Sequence, residues 1–296
     1  MCQTFGDLCA EFLAWARKCL RPSTVYVYGH YFRRWIELHG DMPIDEIFPR
    51  HLEEFAKTWH ACQAIKRLFS WATNSAGFAN CDRLRRVKGP RKGFRRRILA
   101  PREAIRILRA VPSDLRRLLL AYRETFARPQ ELRLATWEDL KPDDPALSIE
   151  QGLELSRVSI VLYEFKDAGR RQDGERPRII LLSPRACRLL LRLRSKSRNP
   201  RGAIFRTDRG RAWTANALRC RFRRLRVKLG IKRDKRGETI VPYTFRHSGA
   251  TIAAAHGVRD RLLADILGHV ETKTTARYCH LQTEHLRAAM SKIWGQ

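Results

Sequence analysis

Apolar side chains in the first 76 residues return every three or four positions, which is the repeat of helices with one buried face. The pattern predicts four helices, on the stripes Leu8, Phe12, Trp15 and Cys19; Tyr28, Phe32, Trp35 and Leu38; Leu52, Phe55 and Trp59; and Ile65, Phe69 and Ala72. Ser23 or Thr24 is the predicted N-cap of the second helix, and Gly40 is its predicted end. The aromatic residues are interpreted as core packing rather than as a surface for base stacking.

Helical patterns resume after residue 98. They occupy 101–110 and 113–126, and Pro129 then suits the first position of another helix, because its missing N–H costs nothing there. Arg128 would lie at the start of this helix and point outward from a fixed backbone.

Two later segments have the composition of strands. Residues 158–163 and 177–182 are rich in β-branched and apolar side chains, and the turn-rich basic segment 166–174 lies between them. This pattern predicts a β-hairpin. Helices follow from Ser183-Pro184 to about Arg194 and over 215–229, so the chain is predicted to be mainly α with a small β-sheet.

The charge balance is the unusual feature of the composition. Sixty Lys and Arg against thirty Asp and Glu give a net charge of +30 and a pI near 10.9. Such an excess favours a polyanionic partner, and nucleic acid is the commonest one. An anionic membrane surface is the rival interpretation, but no lipidation signal, long apolar run or signal peptide is present. The eight cysteines form no C-x-x-C and are expected to be reduced and mostly buried.

Positive charge is concentrated in two segments beyond the first helices. Residues 83–97 contain nine basic residues and no acidic one, and two glycines and a proline disfavour a regular element there. This segment is predicted to be a linker that crosses a groove of a duplex. The helix over 215–229 surrounds an apolar stripe with arginines. The candidate DNA-binding residues are Arg85, Arg86, Lys88, Arg91, Lys92, Arg95, Arg96, Arg97, Arg219, Arg223 and Arg226.

The last fifth of the chain carries residues suited to phosphodiester chemistry. Arg246 is followed by Leu267-Gly268-His269, and Tyr278 comes nine residues after the histidine. A phosphodiester repels nucleophiles and has a poor leaving group, so its cleavage needs cations, an acid and an activated nucleophile. Guanidinium grips phosphate through paired N–H groups, and Tyr278 is the predicted nucleophile. No carboxylate cluster suits Mg²⁺, and we predict no metal and no cofactor.

The sequence resembles the tyrosine recombinases, also called phage integrases, over nearly its whole length. The motifs that carry the resemblance are Arg128-x-x-Glu131-Leu132, Lys166 in the hairpin, Tyr243-x-x-Arg246-His247, Leu267-Gly268-His269, and Tyr278 preceded by Thr274-Thr275.

The resemblance implies a role for each matched residue. Arg128, Arg246 and His269 would bind the scissile phosphate, with Glu131 supporting Arg128. Lys166 would protonate the departing 5′-oxygen. Tyr278 would form a 3′-phosphotyrosine that a 5′-hydroxyl later reverses, which needs no nucleotide cofactor.

Tyr243 departs from the family's pattern, in which this position is usually histidine. A tyrosine hydroxyl three residues before Arg246 shares its helix face and can still hydrogen-bond a phosphate oxygen. It is a poorer proton acceptor than imidazole, so slower cleavage is expected. Tyr243 is also a rival nucleophile, although the Thr-Thr context and the spacing from His269 favour Tyr278.

The resemblance further implies an architecture. It assigns 1–82 to a helical, SAM-like core-DNA-binding domain, 83–97 to the basic linker and 98–296 to the α+β catalytic domain, which together would clamp duplex DNA. With no arm-binding module expected ahead of residue 4, the compact type of chromosomal or mobile-element recombinases is favoured. A homotetramer on two DNA sites, exchanging the tail over 281–294, and a bacterial cytoplasmic, nucleoid-associated location with no membrane partner are expected.

Two alternatives remain open. A type IB topoisomerase would use the same chemistry but would relax one duplex without exchanging strands. A non-catalytic DNA-binding relative would occupy sites without cutting them, and the tyrosine at 243 is its support.

Overall fold

The computed structural model describes residues 4–75, 89–90, 93, 96–164, 177–196 and 200–269. The chain divides into two compact units, Met1–Phe94 and Arg95–Gln296, and each is described by itself. None of the helices in the described ranges is long and apolar enough to cross a bilayer.

The described residues of the N-terminal unit form four α-helices, as predicted. They are α1 (Phe5–Cys19), α2 (Pro22–His39), α3 (Pro49–Phe55) and α4 (Trp59–Ser75), with a 3₁₀ turn at Ile44–Glu46. Phe5 lies 4.1 Å from Trp35 between ring centroids, and Phe12 meets Phe32 edge to face. These rings are fully buried, which confirms that the aromatic residues form a core.

Several local predictions in this unit are wrong. Helix α2 begins at Pro22 with Arg21 as its N-cap, not at Ser23 or Thr24, because proline fits the first helical turn. Leu38 is 66% exposed, since ten residues after Tyr28 it is rotated about 80° from it around the helix. Cys19 is exposed at the last residue of α1, and Trp59 begins α4 rather than ending α3.

The C-terminal unit is mostly helical around one small sheet. Its helices up to residue 269, within the described ranges, are α5 (Pro101–Ala110), α6 (Ser113–Thr125), α7 (Pro129–Leu134), α8 (Ile149–Glu154), α9 (Pro184–Arg194), α10 (Ala215–Lys228), α11 (Pro242–Ala255) and α12 (Asp260–Leu267), with a 3₁₀ turn at Trp137–Asp139. The predicted helices are confirmed. Leu229 falls just beyond α10 and is its C-cap.

The sheet has three antiparallel strands in the order β1 (Leu140–Pro142), β2 (Val158–Leu162) and β3 (Arg178–Leu181). Ile160 is opposite both Leu140 and Ile180, so the centre of the sheet faces the core. The antiparallel pairing of β2 with β3 confirms the predicted strands, whereas β1 was not predicted. The predicted turn-rich segment 166–174 falls within residues 165–176, which the structure does not describe.

Buried helices position the C-terminal half of this unit. Helix α11 packs against α6 and α12, and Leu263, Leu267 and Ala250 form a small core between α11 and α12.

Cys9, Cys62 and Cys187 are buried and Cys220 is partly buried, in line with the expectation for these four cysteines.

Candidate active site

Arg128 is fixed at the start of α7. It is the N-cap residue, Pro129 follows at the first helical position, and the Glu131 carboxylate accepts from the Arg128 backbone N–H at 2.8 Å and from its Nη1 at 2.7 Å. The buried Tyr122 hydroxyl donates to the Pro129 carbonyl at 3.0 Å, and burial raises the pKa of Tyr122, which keeps this donor protonated. The start of α7 is therefore held from two sides.

The side chain of Arg128 does not point outward, as the sequence had predicted. It is 14% exposed, and its Nη2 donates to the Gly268 carbonyl at 3.1 Å. The prediction is wrong because it considered α7 alone, whereas the acceptors are Glu131 and a turn 140 residues further along the chain.

Arg246 projects from α11 into the interior of the unit and is fully buried. Its Nη1 donates to the Phe126 carbonyl at 2.7 Å, and its Nη2 donates to the Leu267 carbonyl at 2.6 Å. The same Nη2 lies 3.2 Å from Nε2 of His269. Arg246 and His269, selected from separate sequence motifs, are thus direct neighbours.

The turn that presents His269 ends α12. Gly268 adopts a left-handed conformation with φ 63°, and the His269 N–H bonds back to the Ala264 carbonyl at 2.9 Å. A Cβ at position 268 would lie 2.6 Å from Nε of Arg178. Glycine is needed here for its backbone conformation and for this close approach.

Arg178 is the site residue that sequence reasoning missed. It lies on β3, is only 2% exposed, and donates from Nη2 to the Ile266 carbonyl at 2.8 Å and from Nη1 to the Asp265 carbonyl at 3.3 Å. The only sequence signal was an arginine directly before the apolar run 179–182, which did not show the direction of its side chain.

Together, these contacts bring three arginines to one helix end. The carbonyls of Ile266, Leu267 and Gly268 accept from Arg178, Arg246 and Arg128, respectively. The last carbonyls of a helix have no partner within it, and basic side chains are favourable there because of the helix dipole. We call Arg128, Arg178 and Arg246 the arginine cluster.

Tyr243 is 37% exposed on the first turn of α11, three residues before Arg246. It lines a depression of about 420 Å³ together with Gln130 of α7 and with Arg219 and Arg226 of α10. The structure therefore brings Tyr243 together with two of the predicted DNA-binding residues.

The predicted DNA-binding arginines differ in how they are held. Arg223 is exposed, whereas Arg226 is partly buried and donates from Nη1 to the Ile240 carbonyl at 3.0 Å. In the linker, the Arg97 side chain donates to Glu103 at 2.6 Å, and the Arg96 backbone N–H donates to Glu238 at 2.8 Å. Three arginines with predicted DNA contacts, Arg97, Arg219 and Arg226, thus already make side-chain contacts within the protein.

Several predicted residues lie outside the described part of the chain. They are Arg85, Arg86, Lys88, Arg91, Lys92, Arg95, Lys166 and Tyr278. Within the described ranges, no group of three or more His, Cys, Asp or Glu side chains is arranged to hold a metal ion.

Comparison with known proteins identifies the family. The phage integrase family matches residues 97–285, which is more than half of the chain, and the SAM-like N-terminal domain of phage integrases matches residues 4–60. This chain belongs to the phage integrase family. Its members include tyrosine recombinases, enzymes that cleave and rejoin DNA.

Curated relatives in this family carry recombinase names. The chain is 27% identical over 282 residues to the tyrosine recombinase XerA of Thermococcus kodakarensis, covering 92% of this chain and 89% of the relative. It is 29% identical over 148 residues to XerD of Lacticaseibacillus casei, covering 48% of this chain and 47% of the relative. The match to XerD and those to three further curated relatives, all named XerC, each span about half or less of the relative's length, whereas the XerA match spans most of it.

Solved structures share the fold at low identity. The integrase of transposon Tn1549, in complex with transposon right-end DNA, aligns with a TM-score of 0.71 at 17% identity, over 98% of this chain and 99% of the other. A lambda integrase dimer bound to a COC′ core site aligns with a TM-score of 0.69 at 15% identity, over 93% and 77%. These likenesses confirm the predicted fold of a SAM-like domain followed by an integrase catalytic domain.

Proposed function

We propose that this chain is a site-specific DNA recombinase that cuts and rejoins strands through a 3′-phosphotyrosine, in integration, excision or resolution. One observation supports this proposal above the others. Arg128, Arg246 and His269 were selected from three separate motifs as phosphate ligands, and they meet at the end of α12.

The geometry suits a scissile phosphate. Guanidinium groups stay charged at any working pH, and hydrogen-bond donors fixed before the reaction stabilise developing negative charge without reorganisation. Glu131 orients Arg128 through two short contacts. Arg246 is held in the same way, since its Nη1 and Nη2 donate to the Phe126 and Leu267 carbonyls.

In the proposed reaction, the hydroxyl oxygen of Tyr278 gives its proton to the surrounding water, attacks phosphorus and forms the phosphotyrosine bond. The bond from phosphorus to the 5′-oxygen breaks, and Lys166 gives that oxygen its proton. A 5′-hydroxyl then attacks the phosphotyrosine and returns its proton to Lys166, and the released Tyr278 regains a proton from water, so the energy of the phosphodiester is retained. The family membership and the motif spacing support these two roles.

Duplex DNA is the proposed partner. The net charge of +30 supports it, as do the arginines on α10, and relatives of this fold have been solved on DNA. The domain boundaries at 82 and 97, the homotetramer with exchanged tails and a cytoplasmic, nucleoid-associated site of action belong to the same proposal.

A covalent capture experiment tests it. Protein incubated with host genomic DNA is denatured, the DNA attached to it is sequenced, and the cleavage site is rebuilt as a duplex with a nick near the cleaved bond. Wild type is expected to accumulate a covalent adduct on this duplex, with or without EDTA, and Tyr278→Phe is expected to form none. Absence of an adduct with wild type contradicts the proposal.

A plasmid with two copies of the mapped site separates recombination from topoisomerase activity. Deletion or inversion of the intervening DNA is the expected product, and relaxation alone would assign the chain to topoisomerase-like activity. A chain that binds DNA but yields no adduct in the capture experiment would belong to the non-catalytic class.

A further inference from the structure

Arg178 is a buried arginine without a role in the proposed chemistry. Its side chain reaches from β3 to the end of α12, where Nη1 and Nη2 donate to Asp265 and Ile266, while Nη1 also donates to the Ile179 carbonyl at 2.8 Å. Burying a guanidinium is costly unless its N–H groups are paired. Arg178 belongs to none of the motifs that supply the candidate phosphate ligands, and its Nη1 and Nη2 donate to three backbone carbonyls of this unit.

The carbonyls that accept from Arg178 directly precede, along the chain, the carbonyls that accept from the two arginines proposed to bind phosphate. Arg178 binds the carbonyls of residues 265 and 266, and the next two carbonyls, of Leu267 and Gly268, bind Arg246 and Arg128. Because successive peptide planes are covalently joined, the orientation of the first pair constrains that of the second.

A second link joins Arg178 to the same ligands. Its Nε lies 3.7 Å from Oε2 of Glu131, the oxygen that accepts the backbone N–H of Arg128. Gly268 shows a third contact of Arg178 with this turn. A Cβ at position 268 would lie 2.7 Å from Cδ and 2.6 Å from Nε of Arg178, so any side chain there would collide with Arg178. The turn before His269 is therefore packed directly onto Arg178.

We infer that Arg178 is a positioning residue for DNA cleavage. It holds the last turn of α12 and the Glu131 carboxylate in place, and through them it sets the guanidinium groups of Arg128 and Arg246. This inference rests on the proposed function, since it assigns Arg178 to the cleavage step of that reaction.

The test uses the full chain and the nicked duplex that carries the mapped cleavage site. Arg178→Met removes the donors and keeps an unbranched apolar stem, Arg178→Lys keeps the charge with fewer donors in another geometry, and Arg188→Met removes an exposed arginine from α9 as the matched control. DNA affinity, the rate constant of adduct formation at saturating DNA, and the final adduct yield are measured for each.

Arg178→Met is expected to lower the rate constant about 100-fold, as a displacement near 1 Å can do, with yield and affinity unchanged. Arg178→Lys is expected to lose roughly tenfold, because an ammonium cannot reproduce the guanidinium fork. Arg188→Met should behave as wild type. Hydrogen exchange of the peptide over 260–269 should be faster in both Arg178 variants than in Arg188→Met.

The outcomes separate this inference from the proposed function. If wild type forms no adduct, both fail. If wild type cleaves and both Arg178 variants cleave at its rate, only the positioning role is overturned. A variant that loses yield but keeps the wild-type rate constant in its active fraction shows a purely structural role, which also overturns it. If Arg178→Met does not fold, the rate constant of Arg178→Lys decides.

Discussion

Arg246 and Arg223 carry the same guanidinium group in the same compact unit, yet their surroundings are opposite. Arg246 is buried, with donors to two carbonyls and a histidine beside it, whereas Arg223 is exposed on α10. A buried guanidinium with fixed partners acts at one geometry and in a low dielectric. An exposed one acts through a screened field and contributes mainly to association.

The difference divides the positive charge of this unit into two tasks. The arginine cluster is built for a reaction step, and Arg219 and Arg223 of α10, called here the α10 surface, are suited to holding a polyanion. The four predictions below test this division, beginning with the largest expected effect.

Arg128→Ala and Arg246→Ala should each slow adduct formation at saturating DNA by roughly 100- to 1,000-fold, about 3–4 kcal/mol, as the removal of one fixed donor does. DNA affinity should stay close to wild type. The measurement is single-turnover cleavage of the nicked duplex, with Arg219→Ala as the control on the α10 surface. An equal loss of rate in Arg219→Ala would contradict the division between the arginine cluster and the α10 surface.

Glu131→Ala should lower the free energy of unfolding by about 3 kcal/mol, because it leaves buried charge uncompensated beside Arg128 and Arg178. Glu150→Ala is the matched control, since Glu150 pairs with Arg194 at the surface and its side chain is 51% exposed. That change should cost about 1 kcal/mol or less. Chemical denaturation measures both, and equal losses would contradict the contrast.

Arg219→Ala combined with Arg223→Ala should weaken DNA binding and reduce its salt dependence. The log–log slope of affinity against salt should become shallower by about 0.9 for each phosphate that the variant no longer neutralises. The control is Arg185→Ala with Arg188→Ala on α9, which removes the same charge from another helix. Identical slopes for the two double variants would show a general charge effect instead of a binding surface.

Tyr243→His should have the smallest effect, a rise in the cleavage rate constant of up to about tenfold from restoring an imidazole. Tyr243 is exposed next to the α10 surface and lies outside the arginine cluster. A comparison of rate constants with wild type measures the effect. A large loss of rate in Tyr243→His would show that the hydroxyl itself acts in the reaction.

The sequence predicted the parts of this site that depend on local pattern. Pro129 marked the start of α7 and placed Arg128 there, and the motif Leu267-Gly268-His269 selected the histidine that lies beside Arg246. The direction of Arg128 and the role of Arg178 were not predictable in this way. Each depends on acceptors 87 to 140 residues away, which only the packing of the unit brings close.

Strand β1 shows the same limit in the fold. Its three residues, Leu140–Pro142, have no alternating pattern of their own and exist as a strand because β2 pairs with them. Long periodic elements such as α4 and α10 were predicted because each carries its own apolar face.

The most direct test of the proposed chemistry is to identify the tyrosine that becomes linked to DNA. The adduct on the nicked duplex is digested with nuclease and protease, and the peptide that carries the nucleotide linked through its 3′-phosphate is sequenced by mass spectrometry. We expect the label on Tyr278, with none in Tyr278→Phe. A label on Tyr243, or no labelled peptide from an active wild-type preparation, would contradict the assignment.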